Sequence, residues 1–420
     1  MTSSIDEMLL HASERGDDSL QTGRYIVTYK EGAGEVAGEG LRSAGLRTAD
    51  ARDFSDQAFE ISDVGDADAL VLPEIGVAVV TGPGIESAGL GVREEAASDS
   101  PIEAVEPEYF VFAEQEPAEY LRGFLRATEA IIGDIGHENG LDTEEDEIDA
   151  QVLGATWGLV ACRVPQSTRS GAGVRVAVLD TGMDLGHPDF VGRQIVSSSF
   201  VGQPVQDLHS HGTHCIGTSC GPKAPAGSTP RYGVAFGAPI FVGKVLSNSG
   251  SGSSGSVLAG INWAIANRCV VISMSLGSSS PVQAAYTAAG QAALNRGCLI
   301  IAAAGNVQGA PTGAPANSPT IFAVASLDRN LAPSSFSSQG KIQIAAPGRD
   351  VFSSVPRPTR HGIKSGTSMA TPHVAGCAAL WAQTNVNLRG QALWNRLQQS
   401  ARPLPYPATR VGRGLVQAPA

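Results

Sequence analysis

Apolar positions along this 420-residue chain follow two different patterns. In the first third they form isolated short runs. Tyr25-Ile-Val-Thr-Tyr-Lys30, Ile75-Gly-Val-Ala-Val-Val80 and Ile102–Phe112 each predict a strand. Residues 1–23 show no such pattern and predict a solvated, disordered lead. In the segment Pro117–Ile132, Tyr120/Phe124 and Leu121/Leu125 fall one turn apart, predicting a helix that begins at Pro117. From Val174 onward the pattern changes. Buried-looking strands are predicted at Val174–Leu179, Ile240–Val245, Val270–Met274, Leu299–Ala303 and Thr320–Val324. Between and after them, helices are predicted at Ser256–Ala266, Ala284–Arg296, Met369–Trp381 and Leu388–Ser400. Continuous apolar strands alternating with helices predict an α/β fold, with a largely parallel sheet covered by helices on both faces. Such sheets place their sites at the carboxyl ends of strands, where Asp180 and Asn306 fall.

Charge divides the chain at the same place. Residues 1–153 hold 35 acidic and 9 basic side chains, a balance of −26. Residues 154–420 hold 6 Asp, no Glu and 20 basic side chains, a balance of +14. The coincidence of the two boundaries predicts two functional parts that attract one another. Seven acids within residues 138–149 predict a disordered tether between them. The basic residues are scattered, with no aromatic-interleaved stripe, so no nucleic-acid partner is expected. No apolar run reaches membrane-spanning length, and the Pro117 helix lacks a basic face, so no membrane partner is expected either.

Three segments carry candidate chemistry. In Ser365-Gly-Thr-Ser-Met-Ala-Thr-Pro-His-Val-Ala-Gly376, Ser368 sits in a turn just ahead of an apolar, small-residue helix. The unpaired N–H groups and positive dipole end of such a helix suit a place where negative charge develops. Val174-Arg-Val-Ala-Val-Leu-Asp-Thr-Gly182 puts Asp180 at the end of a strand, and His209-Ser-His-Gly-Thr-His214 puts His211 before a second small-residue run. A serine needs a neighbouring base to become a nucleophile, and that base needs an orienting acid.

Asp, His and Ser in this chain order, with these local motifs, resemble the subtilisin-like serine proteases, the subtilases. The resemblance runs from about Trp157 to Ala418 and includes Val271-Ile-Ser-Met-Ser-Leu-Gly277 and Ala302-Ala-Ala-Gly-Asn306. It implies a serine endopeptidase working through an acyl-enzyme. Ser368 would be the nucleophile, His211 the base, Asp180 its orienting acid, and Asn306 the oxyanion donor beside the Ser368 N–H. His214 and His373 are read as structural. Substrate would add a strand against Ser275, Leu276 and Gly277, and also along Ser249–Gly255. Ala302, Ala303 and Ala304 would wall a pocket whose floor is Gly313. With Val307 adding no charge at the rim, that pocket implies a preference for large apolar residues on the acyl side of the scissile bond. Cys215 follows His214 as in the thiol-containing branch, and its thiol is expected beneath His211.

The N-terminal strands resemble the inhibitory prodomain of subtilases, a small α+β, ferredoxin-like fold over residues 24–113. This implies a self-processing zymogen, with Val111, Phe112 and Ala113 in the substrate cleft. Residues 114–153 would form a helical and acidic linker, and 154–420 the catalytic domain. The expected partners are protein or peptide substrates and the prodomain itself. No organic cofactor is expected. Relatives bind structural calcium, and Asp189 in His187-Pro-Asp-Phe190 matches one of their ligands. The loop Cys220–Pro230, however, carries a lysine and no acid, so strong calcium binding is not expected. The first 30 residues lack a basic start followed by an apolar segment, which predicts a cytoplasmic protein or export by another route. The six cysteines are then expected as free thiols, with Cys215–Cys220 left open as a pair. Two rival readings are a transpeptidase or macrocyclase, in which an amine replaces water, and a catalytically dead binding scaffold.

Overall fold

A computed structural model describes residues 5–14, 19–32, 37–59, 64–90, 100–113 and 154–420. The helix expected at Pro117–Ile132 and the acidic tether at 138–149 lie outside the described residues.

After helix α1 (Ile5–Glu14), the N-terminal part forms a sheet of β1 (Gln21–Tyr29), β2 (Thr48–Asp50), β3 (Ala69–Leu72), β4 (Val77–Val80) and β5 (Ile102–Phe112), in the order β2-β3-β4-β1-β5. Strand alternation gives this sheet two apolar faces. Val27, Val71 and Val80 pack with Leu41 of α2 (Ala37–Ser43) and Ile85 of α3 (Gly82–Ser87). Ile26, Leu70, Leu72 and Val79 face the other way, into the core of the C-terminal part.

The described residues within 1–23 are therefore not the disordered lead expected. Residues 5–14 are helical, and β1 begins at Gln21. A ten-residue helix is marginal in isolation, and α1 is held by tertiary contacts that no local pattern announces.

The C-terminal part is built on seven strands: β6 (Val176–Asp180), β7 (Ile195–Ser199), β8 (Ile240–Lys244), β10 (Val271–Met274), β11 (Leu299–Ala303), β12 (Phe322–Leu327) and β13 (Ile344–Pro347). Their order is β13-β12-β11-β10-β6-β8-β7, and every neighbouring pair is parallel. Short β9 (Ser251–Ser253) lies apart from this sheet, and β14 (Val351–Ser354) with β15 (His361–Lys364) makes a separate antiparallel hairpin. The helices are α4 (Trp157–Ala161), α5 (His211–Cys220), α6 (Ser254–Ala266), α7 (Ala284–Asn295), α8 (Thr367–Thr384), α9 (Gln391–Ser400) and α10 (Ala408–Val411).

The parallel sheet is covered on both sides, as expected. Val176, Val178 and Ile301 share one core with Ile216 of α5, Val374 of α8 and Leu393 of α9. Ala177, Leu179 and Ile300 share the other with Val257 of α6 and Ala289 of α7. All six cysteines are buried free thiols, so Cys215 and Cys220 are not paired.

The two parts meet through β5. Its end pairs antiparallel with β9, matching Phe110 with Ser253, Val111 with Gly252 and Phe112 with Ser251. Two glutamates of the same strand meet the starts of catalytic-side helices. Glu108 Oε1 accepts from Gly255 N at 2.9 Å, at the start of α6. Glu106 accepts from Ala284 N at 3.1 Å and Ala285 N at 3.3 Å, at the start of α7. Neither helix has an acid in its own first turn. The N-terminal part therefore supplies the negative charge that their unpaired N–H groups favour.

Candidate active site

Asp180 ends β6, at the carboxyl edge of the parallel sheet. The chain must turn sharply there. Gly182 adopts φ +103°, and a Cβ on it would collide with the Val205 carbonyl. His211 is the first residue of α5, entered through Ser210 at φ 79°. Ser368 is the second residue of α8, after Gly366. Three separate elements thus converge.

Asp180 and His211 are both 1% exposed, and His211 Nδ1 lies 2.8 Å from Asp180 Oδ1. A carboxylate only accepts, so the proton is on Nδ1 and Nε2 is left as the acceptor. Burial opposes the charge on His211, but Asp180 outweighs it and holds the imidazole well above its ordinary value. Burial likewise opposes ionisation of Asp180, and His211 together with the Thr181 N–H (2.7 Å) draws it below the usual carboxylate value. Such a pair keeps the ring in one tautomer and favours its protonated form.

His211 Nε2 is buried without a hydrogen-bond partner. Ser368 Oγ instead lies 3.3 Å from the Ala113 carbonyl and 3.2 Å from that of Ser275. Asn306 Oδ1 accepts from Thr367 N at 2.8 Å and Thr367 Oγ1 at 2.9 Å, which fixes its amide nitrogen as the end free to donate. A Cβ at Gly366 would sit 3.3 Å from that nitrogen, so glycine leaves room for it. The arrangement offers a hydroxyl, an oriented imidazole and an amide donor around one point.

Cys215 Sγ lies 3.9 Å from His211 Nδ1 and 3.6 Å from the Ser368 carbonyl, beneath the ring as expected. Burial pushes its thiol pKa up, which leaves it a poor nucleophile. His214 Nε2 lies 2.9 Å from the Val351 carbonyl, and His373 Nδ1 lies 2.9 Å from that of Met369. Burial lowers His214 to about 3 and His373 to about 4, so both are neutral parts of the framework.

The cleft residues behave as a strand acceptor. Gly277 and Phe112 exchange both backbone hydrogen bonds at 3.0 Å, and Ala113 N donates to the Gly250 carbonyl at 2.9 Å. Ser275 Oγ donates to the Ser368 carbonyl at 2.7 Å, and Leu276 is buried beside it. Ala302, Ala303 and Ala304 are buried, and Gly313 N donates to the Ala304 carbonyl at 3.1 Å. The segment Ser249–Gly255 contains β9, the strand that receives β5.

One residue was missed by sequence reasoning. Asp207 is fully buried and accepts from His209 N, Ser210 N and Thr181 Oγ1 on one oxygen, and from Thr213 N and Oγ1 on the other. It ties the turn after β6 to the start of α5 and so positions His211. The available signal was an acid four residues before His211 in a part that holds only six acids.

Among the described residues, two groups of side chains come close enough to share a metal ion: Asp180, His211 and Cys215, and His187, Asp189 and His361. In the second, Asp189 Oδ2 accepts from the Tyr232 hydroxyl at 2.5 Å and lies 2.9 Å from His361 Nε2. His187 Nδ1 accepts from Asp189 N at 3.2 Å, and its Nε2 lies 2.8 Å from the Arg360 carbonyl. Protein groups already engage each of these atoms.

The sequence profile of the subtilase family matches residues 171–414. The chain belongs to the subtilase family. An alkaline protease of Alkalihalobacillus alcalophilus is 40% identical over 283 residues, covering 66% of this chain and 72% of the relative. Subtilisin Savinase of Lederbergia lenta is 41% identical over 270 residues, covering 63% of this chain and 97% of the relative. The crystal structure of a cold adapted subtilisin-like serine proteinase aligns with TM-score 0.56 at 33% identity, over 64% of this chain and 99% of that one. This subtilase is accordingly a serine endopeptidase that hydrolyses peptide bonds in protein or peptide substrates. The reading as a dead scaffold falls with that kinship. The cytoplasmic placement expected above is overturned by the match to alkaline proteases, so the composition of residues 1–30 does not locate the protein. Among the described residues, no helix is long and apolar enough to cross a membrane.

An acid-sensitive clamp lies beside the site. Asp184 accepts from Arg357 N at 3.0 Å, Nε at 2.8 Å and Nη2 at 2.8 Å, joining the loop after β6 to the β14–β15 hairpin. The Arg357 hydrogen bonds hold the Asp184 carboxyl down at about 2. A depressed carboxyl stabilises the fold above its unfolded value of ~4 and loses that contribution as pH falls through its folded value. Asp184→Asn should therefore cost about 1–2 kcal/mol at neutral pH, the lower part of the charged range because Arg357 is half exposed. Unfolding measured over a pH series should show the gap to wild type closing between pH ~4 and ~2. A gap that stays constant over that interval refutes this role.

Proposed function

We propose that Asp180, His211 and Ser368 form the hydrolytic triad of this protease. Asn306 and the Ser368 N–H act as oxyanion donors, and residues 24–113 act as an inhibitor in cis that the chain itself removes. In the free enzyme His211 Nε2 takes the Ser368 proton as Oγ attacks the carbonyl carbon, then returns it to the leaving amine. Asp180 keeps the ring in that tautomer and stabilises the imidazolium. The chemistry uses only side chains, backbone and water.

The observation that carries the proposal is the end of β5. It is paired with β9 on one side and with Gly277 on the other, and the Ala113 carbonyl stands 3.3 Å from Ser368 Oγ. A peptide there is bound as a substrate would be, by main-chain hydrogen bonds that any sequence can make. Inhibition follows because the segment fills the cleft while Ser368 bonds to backbone carbonyls instead of His211 Nε2. The caps from Glu106 and Glu108 hold the inhibitor at two further points.

We further propose that structural calcium is not used at Asp189. Its carboxylate accepts from Tyr232 and faces His361, and Cys220–Pro230 has no carboxylate to add. Calcium needs six to eight oxygens, and this donor set does not fit it.

Ser368→Ala should lower turnover by about 10⁶ and leave the purified chain at full length. In the wild-type chain, N-terminal sequencing should place self-cleavage within a few residues after Ala113. Normal self-cleavage in the variant, or a wild-type cut far from Ala113, would sink the assignment.

Asn306→Ala should slow turnover by roughly 10²–10³ with little change in KM, because the amide acts on charge that develops only in the transition state. Steady-state kinetics decide it: a raised KM with unchanged turnover makes Asn306 a binding residue.

The uncharged wall of Ala302, Ala303 and Ala304 supports cleavage after large apolar residues. A peptide library should be cut mainly after Phe, Leu, Met or Tyr. Preference for Lys, Arg or Asp contradicts this.

A further inference from the structure

The N-terminal helix α1 begins in a polar cradle that the proposed function leaves unexplained. Asp6 Oδ1 accepts from three serine hydroxyls of the catalytic part: Ser247 at 2.8 Å, Ser249 at 2.6 Å and Ser251 at 2.9 Å. Gln203 Nε2 donates to Asp6 Oδ2 at 3.2 Å. The three hydroxyls also stand within 2.6–3.1 Å of one another, so they converge on a single point.

The cradle is braced from behind. Gln203 Oε1 accepts from Asn248 N at 2.8 Å, and Asn248 Oδ1 accepts from Lys244 Nζ at 2.9 Å. Lys244 is fully buried; burial lowers its ammonium to about 8, opposed by the charges on Asp207, Asp180 and Asp6, so it still carries its charge at neutral pH. A cation behind convergent hydroxyls makes this a site for an anion.

The rest of α1 lies on the strand in the cleft. Ile5, Leu9 and Ala12 are spaced to share one helix face, and they pack with Phe110 and Phe112 of β5. These two phenylalanines alternate with Val111, which faces the opposite core. The helix thus covers the outer face of the strand that β9 and Gly277 hold by its backbone.

We propose that Ser247, Ser249, Ser251 and Gln203 form a carboxylate-binding site beside the substrate cleft, and that Asp6 fills it so that α1 clasps β5 in place. The ligand class is a carboxylate side chain at the start of an amphipathic helix, and in this chain α1 supplies it. The clasp rests on the reading of residues 24–113 as an inhibitor; the carboxylate site does not.

The site is tested in the full chain carrying Ser368→Ala, which removes self-cleavage. Hydrogen exchange should show the amides of residues 5–14 losing roughly tenfold protection in Asp6→Asn and in Ser249→Ala, as expected for charge-assisted hydrogen bonds. The double variant should lose little more than either single one, because both act on one contact. Residues 69–80 and 176–180 should keep their protection, which shows that the variants fold. Unchanged protection of residues 5–14 in both variants overturns the carboxylate site.

The clasp is tested in the full chain with Ser368 intact. Labelling of Ser368 by a fluorophosphonate should appear roughly tenfold sooner in Asp6→Asn, the same factor as the loss of protection. A loosened helix with an unchanged labelling rate overturns the clasp. Immediate labelling of the wild-type chain while it is still at full length overturns the inhibitory reading of residues 24–113 and the clasp with it, while the exchange result still decides the carboxylate site.

Discussion

The open edge of the substrate cleft is the constraint on which the arrangement depends. A cleft that binds extended peptides must present unpaired backbone N–H and C=O groups, here on β9 and Gly277. Unpaired edges of this kind accept any strand that reaches them. In the intact chain β5 reaches them first, as an intramolecular partner. Its position is then refined by groups that a passing peptide lacks: Glu106 and Glu108 at two helix starts, and Val111 in the core below.

The caps show how the uneven charge acts. The catalytic part holds no glutamate, and α6 and α7 begin without acids. The N-terminal part brings the missing carboxylates to those helix starts. The −26 and +14 balances therefore describe more than a long-range attraction, because individual acids complete helices whose own sequence leaves them uncapped by charge. Asp6 in its serine cradle follows the same logic at a third point.

Inside the cleft, burial and pairing set the chemistry. Asp180 and His211 are withdrawn from water together, so Asp180 stays ionised and raises the basicity of the ring whose Nε2 is left to accept a proton. Asp207 ties down the turn that carries them without touching the reacting atoms. Cys215, His214 and His373 are buried and held neutral, which is consistent with the proposed role of Ser368 as nucleophile. At Asp189 a tyrosine hydroxyl and a histidine engage the carboxylate.

The sequence alone determined the parallel sheet, because continuous apolar strands buried on both faces leave an unmistakable pattern. Leu299–Ala303 and Ile102–Phe112 were legible to the residue. Asp180, His211, Ser368 and Asn306 stood out as candidates because each lies in a local motif whose residue types serve one chemistry. Strands β2, β3, β7, β13, β14 and β15 were not read, and the helix at Ile5–Glu14 was taken for a disordered lead. Short elements carry too few residues to establish a period, and they persist only through partners distant in the chain. For the same reason only the tertiary structure decided that Asp6 meets Ser247, Ser249 and Ser251, that Asp207 braces the His211 turn, and that Ala113 stands at Ser368. Those contacts join residues up to some 255 positions apart, and their energy comes from geometry that no local window contains.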